Sequence, residues 1–384
     1  MPPRALLGFM TLSALSMLFF LPKTVWSQQL KNVRQIYEKP GYFLTEPTAD
    51  TENRYIAICE QGNKTSNHLV YTIDDGSIHE VIPSSNDPFG DGPQINTWSL
   101  LWSPRTRGEF MVKITRNDEN LYQIYKAGKL GHPAKTLSLK LDEFQLRTSQ
   151  LLAWNPRGTP YMRLAKPGLN PHSQNIKSAD YDIYILAGNN PQQLTQNPEY
   201  SEEQAALLGK DQLVFSARDQ SNFNDLFLRV ATGIAESINV TNSPGLSENW
   251  PQPSPDNRWI AYIITSERDN TGDLWAIPTQ PPYTPRKMAG NIYFEGISPL
   301  PAGRFQWDIA SRGIYYIKQD SEKQCPLEYV DFQSGAVTTV SEGIAFMTSF
   351  AITPDNRHIL FIASGLQGSS DANTHKAYVA ELVK

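Results

Sequence analysis

One turn motif is written twice in this chain, each time directly before an apolar run. It reads Ser-Pro-Asp-Asn-Arg at 254–258 and Thr-Pro-Asp-Asn-Arg at 353–357. Proline fixes the first corner of a type I turn, aspartate suits the second, and asparagine accepts the left-handed conformation that follows. The aromatic and β-branched residues after each turn are typical of a half-buried strand. The motif therefore predicts a β-hairpin at both places.

The same unit of turn and strand recurs along the whole chain. The strands that follow these turns are predicted to begin at 55, 110, 161, 213, 259, 314 and 359, at intervals of 45 to 55 residues. A second polar turn and another short strand follow in each copy. In six of the seven copies a Gly or Asn, which accepts a positive φ, stands just before the strand. The copy at 213 is the exception, because Lys210 and Asp211 occupy its turn.

Short strands repeated with a period near fifty residues are typical of a β-propeller. One four-stranded sheet cannot bury both faces, whereas a ring of sheets can. We predict an all-β, seven-bladed β-propeller of four-stranded antiparallel blades, with almost no helix. Six blades is the alternative, since the copy at 213 lacks its turn residue. The last copy lacks an outer strand, and we expect segment 32–39 to close the ring by pairing with 377–383.

The repeats resemble the TolB-type propeller repeat, a relative of WD-repeat blades. Its opening is matched by 192–198 and 238–244, its turn by 101–105 and 153–158 as well as by the two Pro-Asp-Asn turns, and its second hairpin by 217–227 and 267–275. The resemblance covers nearly all of the chain after the first 27 residues and implies the propeller fold. TolB itself carries a separate domain ahead of its propeller. We expect none here, and therefore a protein other than TolB.

The first residues predict a secretory signal peptide. Arg4 precedes an apolar stretch from Ala5 to Leu21, and the small residues Val25 and Ser27 precede a possible cleavage site. An uncleaved membrane anchor is the alternative, because the apolar run is nearly long enough to span a bilayer. We expect a leader at 1–27, a single propeller domain at 28–384, export to the periplasm or beyond, and a soluble mature chain.

Charge and cysteine usage exclude several classes of function. The formal net charge of −5 argues against nucleic acid and anionic membranes as partners. We find no zinc-ligand spacing, glycine-rich phosphate loop or GxSxG elbow, and so predict no metal and no cofactor. The two cysteines, Cys59 and Cys325, are predicted to be free, because blade 7 should stand between them.

Charged pairs recur at the second hairpin of the repeat. They are Arg116 with Asp118, Arg218 with Asp219, and Arg268 with Asp269. They either stabilise the hairpins or form a ring of charges around one mouth of the channel.

Two histidines, His172 and His375, fall in long loops on the same predicted face. Propeller lyases that act on pectic fragments are a related family and place a histidine-containing metal cluster on one face. That resemblance makes these histidines candidates for binding, with solvated loop residues as the alternative. Trp98 and Trp250, at strand entry, either pack in the core or face a ligand. Asp87 and Asp91 have a spacing compatible with calcium, although such clusters are ordinary loop chemistry.

The long segments at 83–97, 166–180 and 364–376 all fall on one predicted face, and the short Pro-Asp-Asn turns fall on the other. Long loops often serve binding. We therefore predict an exported, non-enzymatic scaffold that binds a protein or peptide through the long-loop face. The alternatives are a carbohydrate-active propeller enzyme that resembles the oligosaccharide lyases, and a gating subunit of a separate catalytic chain. The sequence makes no prediction of the oligomeric state.

Overall fold

The chain is described by a computed structural model. The described residues are 29–62, 65–82, 95–116, 119–155, 157–166, 180–197, 199–230, 236–265, 271–293, 304–320, 324–341, 344, 346–364 and 375–383. The predicted leader at 1–27 lies outside them. Within these ranges no helix is long and apolar enough to cross a membrane.

The described residues form twenty-eight strands in consecutive antiparallel groups of four, which we number as blades in chain order. Blade 1 holds β2 (Phe43–Ala49), β3 (Tyr55–Gln61), β4 (Ser66–Thr72) and β5 (Ile78–Glu80); blade 2 holds β6 (Ile95–Trp102), β7 (Glu109–Arg116), β8 (Glu119–Lys126) and β9 (Lys135–Leu137). Blade 3 holds β10 (Gln150–Trp154), β11 (Pro160–Ala165), β12 (Tyr181–Ala187) and β13 (Asn190–Gln193); blade 4 holds β14 (Ser201–Leu208), β15 (Gln212–Arg218), β16 (Asn224–Val230) and β17 (Ile238–Asn239). Blade 5 holds β18 (Glu248–Pro253), β19 (Trp259–Thr265), β20 (Thr271–Pro278) and β21 (Arg286–Tyr293); blade 6 holds β22 (Phe305–Trp307), β23 (Gly313–Ile317), β24 (Leu327–Asp331) and β25 (Val337–Thr339). Blade 7 holds β26 (Met347–Ile352), β27 (His358–Ala363), β28 (Lys376–Val383) and the N-terminal β1 (Gln29–Glu38).

The all-β prediction is confirmed. A single parallel pair, Ser66 with Asn96, joins blades 1 and 2 into one eight-stranded sheet. The copy at 213, on which the six-blade alternative rested, forms a complete group of four strands. The grouping supports seven blades, and that number stays a prediction.

The N-terminal strand lies where the sequence predicts it. β1 pairs antiparallel with β28, from Gln29 opposite Val383 to Glu38 opposite Lys376. The end of β1 also reaches blade 1, because the carboxylate of Glu60 accepts hydrogen bonds from the Tyr37 hydroxyl and from Lys39. β1 therefore completes blade 7, and the residues at its end also contact blade 1.

Five of the six predicted turn residues take the left-handed conformation, and in blade 6 Ser311, with a φ of 56°, takes it in place of the predicted Gly313. Asn53, Asn257 and Asn356 have φ values of 62°, 59° and 56°, and Gly108 and Gly158 have 59° and 78°. Each turn brings a second strand back against the first, which exposes both faces of the sheet to the neighbouring blades.

The apolar core lies between blades. One cluster, for example, packs Tyr315 and Leu327 of blade 6 against Phe350 and Phe361 of blade 7. Trp102, Trp154 and Trp307 hold equivalent places, and each indole N–H donates to a carbonyl oxygen in the first strand of the preceding blade, at 3.0, 3.3 and 3.0 Å.

Two further features complete the fold. Cys59 and Cys325 are both free and buried, as predicted. The described α-helix is a single short one, α1 (Glu143–Thr148), in the link between blades 2 and 3. Asp142 caps it by accepting from the backbone N–H of Gln145 at 2.7 Å.

Candidate functional site

The first strands of blades 2 to 5 contact one another in turn, and so do those of blades 7 and 1, which identifies the first strands as the inner ones. Inner strands of a propeller surround its central channel. In six blades the inner strand has a register shift against the second strand at the same place. The residues at these bulges are Glu46, Ser99, Leu152, Glu203, Trp250 and Thr348, and all six are half-buried. A bulge redirects a side chain, so we assign these residues to the channel wall.

The channel wall carries a three-residue ionic network at the junction of blades 3 and 4. Glu203 accepts a hydrogen bond from Arg163 of β11 at 2.6 Å, and Arg218 of β15 forms an ion pair with the same carboxylate at 3.2 Å. The three side chains are only 13% to 22% exposed, so solvent ions screen these pairs weakly. Each guanidinium has five N–H donors. The two guanidinium groups carry one positive charge more than Glu203 neutralises, and Arg163 Nε has no hydrogen-bond partner among the described residues, so the network can hold a second anion.

A second ion pair and an aromatic ring flank this network. The guanidinium of Arg163 lies over the ring of Tyr181, 4.3 Å from its centre. Lys166 Nζ lies 2.6 Å from Asp180 and also donates to the carbonyl oxygen of Asn197 at 3.1 Å. Lys166 and Asp180 border segment 167–179, which lies outside the described residues. This side of the junction thus carries three cations.

Beneath the network lie two buried carboxyls, Asp182 and Glu202, which are 0% and 2% exposed. They share a hydrogen bond, and Gln193 donates to Asp182 at 2.7 Å. Burial, and then the charge of Asp182, raise the pKa of Glu202 to about 9. Burial also raises the pKa of Asp182, against the opposing effect of Lys166. Ionising both buried carboxyl groups would place two like charges side by side without water, which costs free energy. The pair therefore holds one proton at neutral pH.

Lys113 is a buried lysine close enough to Arg163 for the two charges to interact. Its Nζ donates to the carbonyl oxygens of Arg147 at 2.8 Å and Ser149 at 2.9 Å, at the end of α1. Burial, and secondarily the charge of Arg163, lower the pKa of Lys113 to about 7. The ammonium group is buried against these carbonyl oxygens at the C-terminal end of α1, so Lys113 holds α1 beside the network.

The predicted charged pairs have different positions. Arg218 belongs to the network. Asp219 instead caps its own hairpin, since its carboxylate accepts from the backbone N–H groups of Ser221 and Phe223 at 2.8 and 2.9 Å. Arg116 is exposed at the end of β7, opposite Glu119. Asp118, Arg268 and Asp269 lie outside the described residues, so a complete ring of charges stays a prediction.

Of the two predicted histidines, His375 lies in the described part of the chain. His375 of blade 7 packs edge-on against Phe43, with ring centres 5.2 Å apart, and its Nδ1 lies 3.5 Å from the carbonyl oxygen of Leu44. His172 lies outside the described residues, as do Asp87, Asp91 and the side chain of Trp98. Trp250 stands at a bulge and packs against the core between blades 5 and 6.

Sequence reasoning missed Arg163 and Glu203. A signal was present for Arg163, because it is a lone charge inside the apolar strand 160–165. Glu203 follows another acid at the start of an inner strand. Only the bulge shows that Glu202 turns into the blade junction while Glu203 reaches the two arginines.

Several solved structures are similar to this chain over most of its length. An oligogalacturonate lyase from Vibrio parahaemolyticus matches with a TM-score of 0.59 and 10% identity, over 92% of this chain and 97% of that chain. An oligogalacturonate lyase in complex with manganese matches with a TM-score of 0.58 and 12% identity, over 93% and 98%. The β-propeller domain of the Trilobed protease from Pyrococcus furiosus matches with 0.54 and 12%, over 77% and 80%. The chain is a β-propeller. No family model matches the sequence, and no curated protein does.

These likenesses correct the predicted function. Two propellers that match over nearly their whole length are lyases, and a puromycin-hydrolyzing peptidase from Mycobacterium tuberculosis matches over 53% of its chain with a TM-score of 0.62 and 11% identity. The prediction of a non-enzymatic protein-binding scaffold is therefore wrong, and the carbohydrate-active alternative fits better. At 10% to 12% identity the likeness itself establishes the fold alone.

Proposed function

We propose that this propeller is an enzyme that acts on oligosaccharides containing uronic acid units, with its site at Arg163, Glu203 and Arg218. One observation carries the proposal: two arginines from neighbouring blades converge on one carboxylate at a bulge of the channel wall. Guanidinium groups bind carboxylates in a planar, two-pronged geometry. The matches to oligogalacturonate lyases over nearly the full length of both chains support the same substrate class.

The arrangement suits elimination next to a carboxylate. Such a reaction needs a cation to stabilise the charge that develops on the substrate carboxylate, and a base to remove the proton from the adjacent carbon. Arg163 and Arg218 are assigned to the carboxylate. An incoming carboxylate competes with Glu203 for their N–H donors. Glu203, released from part of its ion pairs, is then the group placed to accept the proton. As the proton leaves, a carbon–carbon double bond forms and the bond from the next carbon to the glycosidic oxygen breaks, and the departing oxygen takes a proton from solvent.

The steps assigned here use protein side chains only. One of the matched lyases is named as a complex with manganese. The described residues of this chain include no group of three or more His, Cys, Asp and Glu that could hold a metal ion. His375, the candidate ligand that is described, contacts an aromatic ring and a backbone carbonyl. These residues do not fit a metal centre.

The test is an assay on oligogalacturonides, read as the ultraviolet absorbance of the unsaturated uronate product. We expect activity in the wild type and a loss of at least about a hundredfold in kcat/KM for Arg163→Ala and for Arg218→Ala, the order expected for removing a charge-stabilising donor. Arg357→Ala is the matched control, because Arg357 is an exposed arginine in the Pro-Asp-Asn turn of blade 7. Absence of product, or an equal loss in the control, contradicts the proposal.

We also propose that the enzyme is exported from the cytoplasm, with a leader at 1–27 and a propeller at 28–384 built from TolB-type repeats. The apolar run at 5–21 and the repeat spacing support it. The mass of the protein recovered from the periplasm or medium tests it. A mature chain that begins at Gln28 is the expected result, and a full-length chain in the membrane fraction contradicts it.

A further inference from the structure

The face opposite the ionic network carries the short turns between first and second strands, and one of them is unlike the rest. In blade 4, Leu208 pairs with Gln212, which leaves a turn of three residues. The corresponding turns in the other six blades span 50–55, 103–109, 155–159, 254–259, 308–313 and 353–358. They contain five to seven residues. This is the turn in which the sequence lacks the usual Gly or Asn before the strand.

Contacts at the other blade junctions link each turn, or the strand end next to it, to its neighbour. They are Glu52 with Arg107 at 2.6 Å, Arg105 with the carbonyl oxygen of Arg157 at 2.9 Å, Gly209 N–H with Asn257 Oδ1 at 2.8 Å, Asp256 N–H with Ser311 Oγ at 3.0 Å, Gln306 with the backbone of Ile352 at 2.9 and 3.0 Å, and Asp355 N–H with Asn53 Oδ1 at 2.7 Å. Between blades 3 and 4, the described residues of the two turns make no such contact. The short turn of blade 4 leaves this junction open.

The open junction forms a groove with a volume of about 370 Å³, within the range of small-molecule sites. Its walls carry two exposed cations, Arg157 and Lys210, and one exposed carboxylate, Asp211. Its apolar side is the strand end and hairpin from Ile185 to Gly188. A site with charges of both signs around an apolar strip suits a ligand that is itself polar on its edges and apolar on one face.

Hydrogen bonds within the turn of blade 3 fix one wall of the groove. Asn155 Oδ1 accepts from the backbone N–H groups of Arg157 and Thr159, both at 2.9 Å. Tyr161, which is only 1% exposed, packs behind this turn and closes the groove towards the core. The exposed side chain of Arg157 is therefore held on a fixed turn at the edge of the groove.

We infer that this groove binds a sugar acid of one or two units. The carboxylate is recognised by Arg157 and Lys210, and the ring hydroxyls by Asp211 and Gln192. The apolar ring face lies on Ile185 and Ala187. Sugar hydroxyls need an acceptor as well as donors, which the lone carboxylate of Asp211 provides. The inference stands apart from the catalytic proposal, since the groove lies on the opposite face.

The experiment titrates isotope-labelled full-length protein with D-galacturonate and follows backbone amide resonances. We expect shifts at Ala187, Gly188 and Gly209. D-galactose, which lacks the carboxylate, and acetate, which lacks the hydroxyls, should each bind at least about tenfold more weakly. The double variant Arg157→Gln/Lys210→Gln should lose binding by a similar factor, while Arg258→Gln, an exposed arginine in the turn of blade 5, should not.

Filling the groove provides an independent variant. Replacing 209–211 by the six residues of 254–259 restores the usual turn length, and Ala187→Trp places a ring in the groove without changing the turn. Both should abolish the shifts, and either one tests the inference if the other fails to fold. Shifts that persist with Ala187→Trp, or acetate binding as tightly as galacturonate, overturn it. Arg163→Ala should leave groove binding unchanged, which separates failure here from failure of the catalytic proposal.

Discussion

Lys39 Nζ lies 2.6 Å from Oε1 of Glu60, and this contact joins the strand that completes blade 7 to the second strand of blade 1. The Tyr37 hydroxyl donates to the other oxygen of the same carboxylate. Glu60 is 2% exposed, so its charge is stabilised by these two partners rather than by water. The closure of the ring therefore depends on one buried acid as well as on strand pairing.

Replacing Glu60 by Ala should lower the free energy of unfolding by about 2 kcal/mol, because it leaves Tyr37 and Lys39 without their acceptor. Urea denaturation measures the change. The matched control is Lys287→Ala, which removes a half-exposed ion pair to Asp273 and should cost less than about 1 kcal/mol. Equal effects of the two substitutions contradict the role given to Glu60.

The stability that Glu202 and Glu248 contribute should fall as pH rises from about 5 to 9. The folded pKa of Glu202 is raised to about 9, and that of Glu248 to about 7, in both cases chiefly by burial. Between the ordinary pKa of an acid and its raised value the folded state binds more protons than the unfolded state, so each step up in pH favours unfolding. Burial lowers the pKa of Lys113 to about 7, which acts in the opposite direction above that pH, so the test compares wild type with Glu202→Gln. The urea midpoint of the wild type should fall relative to that of the variant from pH 5 through 7 to 9. The exposed Glu199→Gln should follow the wild type.

Gly313 should not accept even a methyl group. A Cβ atom at this position would overlap the Tyr329 ring and the carbonyl oxygen of Val330. Gly313→Ala should therefore destabilise the protein by about 1–3 kcal/mol through overpacking. Gly128→Ala is the control, because nothing lies within 4 Å of its added Cβ. Thermal melts of the two variants decide the matter, and a Gly313→Ala protein as stable as wild type contradicts the packing of blade 6.

Both thiols should be silent towards a soluble thiol reagent in the folded protein. Cys59 and Cys325 are 8% and 0% exposed, and burial raises the pKa of the Cys59 thiol. Only the thiolate reacts. Denaturation without a reductant should release two reactive thiols per chain. Labelling of the native state, or no labelling after denaturation, contradicts the two free, buried cysteines.

The fold was readable from the sequence because turn chemistry is local. The predicted second strands at 55 and 259 begin there in the structure, and those at 110, 161, 213, 314 and 359 begin one residue earlier. Each depends on a turn and an apolar run that lie within ten residues of each other, so no long-range information was needed.

The site was less readable because it depends on register between blades. Arg218 was identified, but its partner Glu203 is presented by a bulge, and Arg163 comes from another blade. A bulge shifts every later side chain by one place, and no local pattern in 201–208 marks where it falls. The unusual sequence of the turn at 209–211 indicated an irregularity in blade 4. Only comparison with the longer turns of the other blades shows that this turn leaves a groove open.

The pairing of β1 with β28 also sets the timing of folding. The first strand of the domain is made before any other, and its partner, 376–383, comes last. During synthesis the edge of β1 therefore stays unpaired until β28 has been made, while the other blades form. Contacts between chain ends are the slowest to form, and an unpaired strand is open to pairing with another chain. Closure of the ring therefore has to wait for residues 376–383, which are made after all the strands they complete.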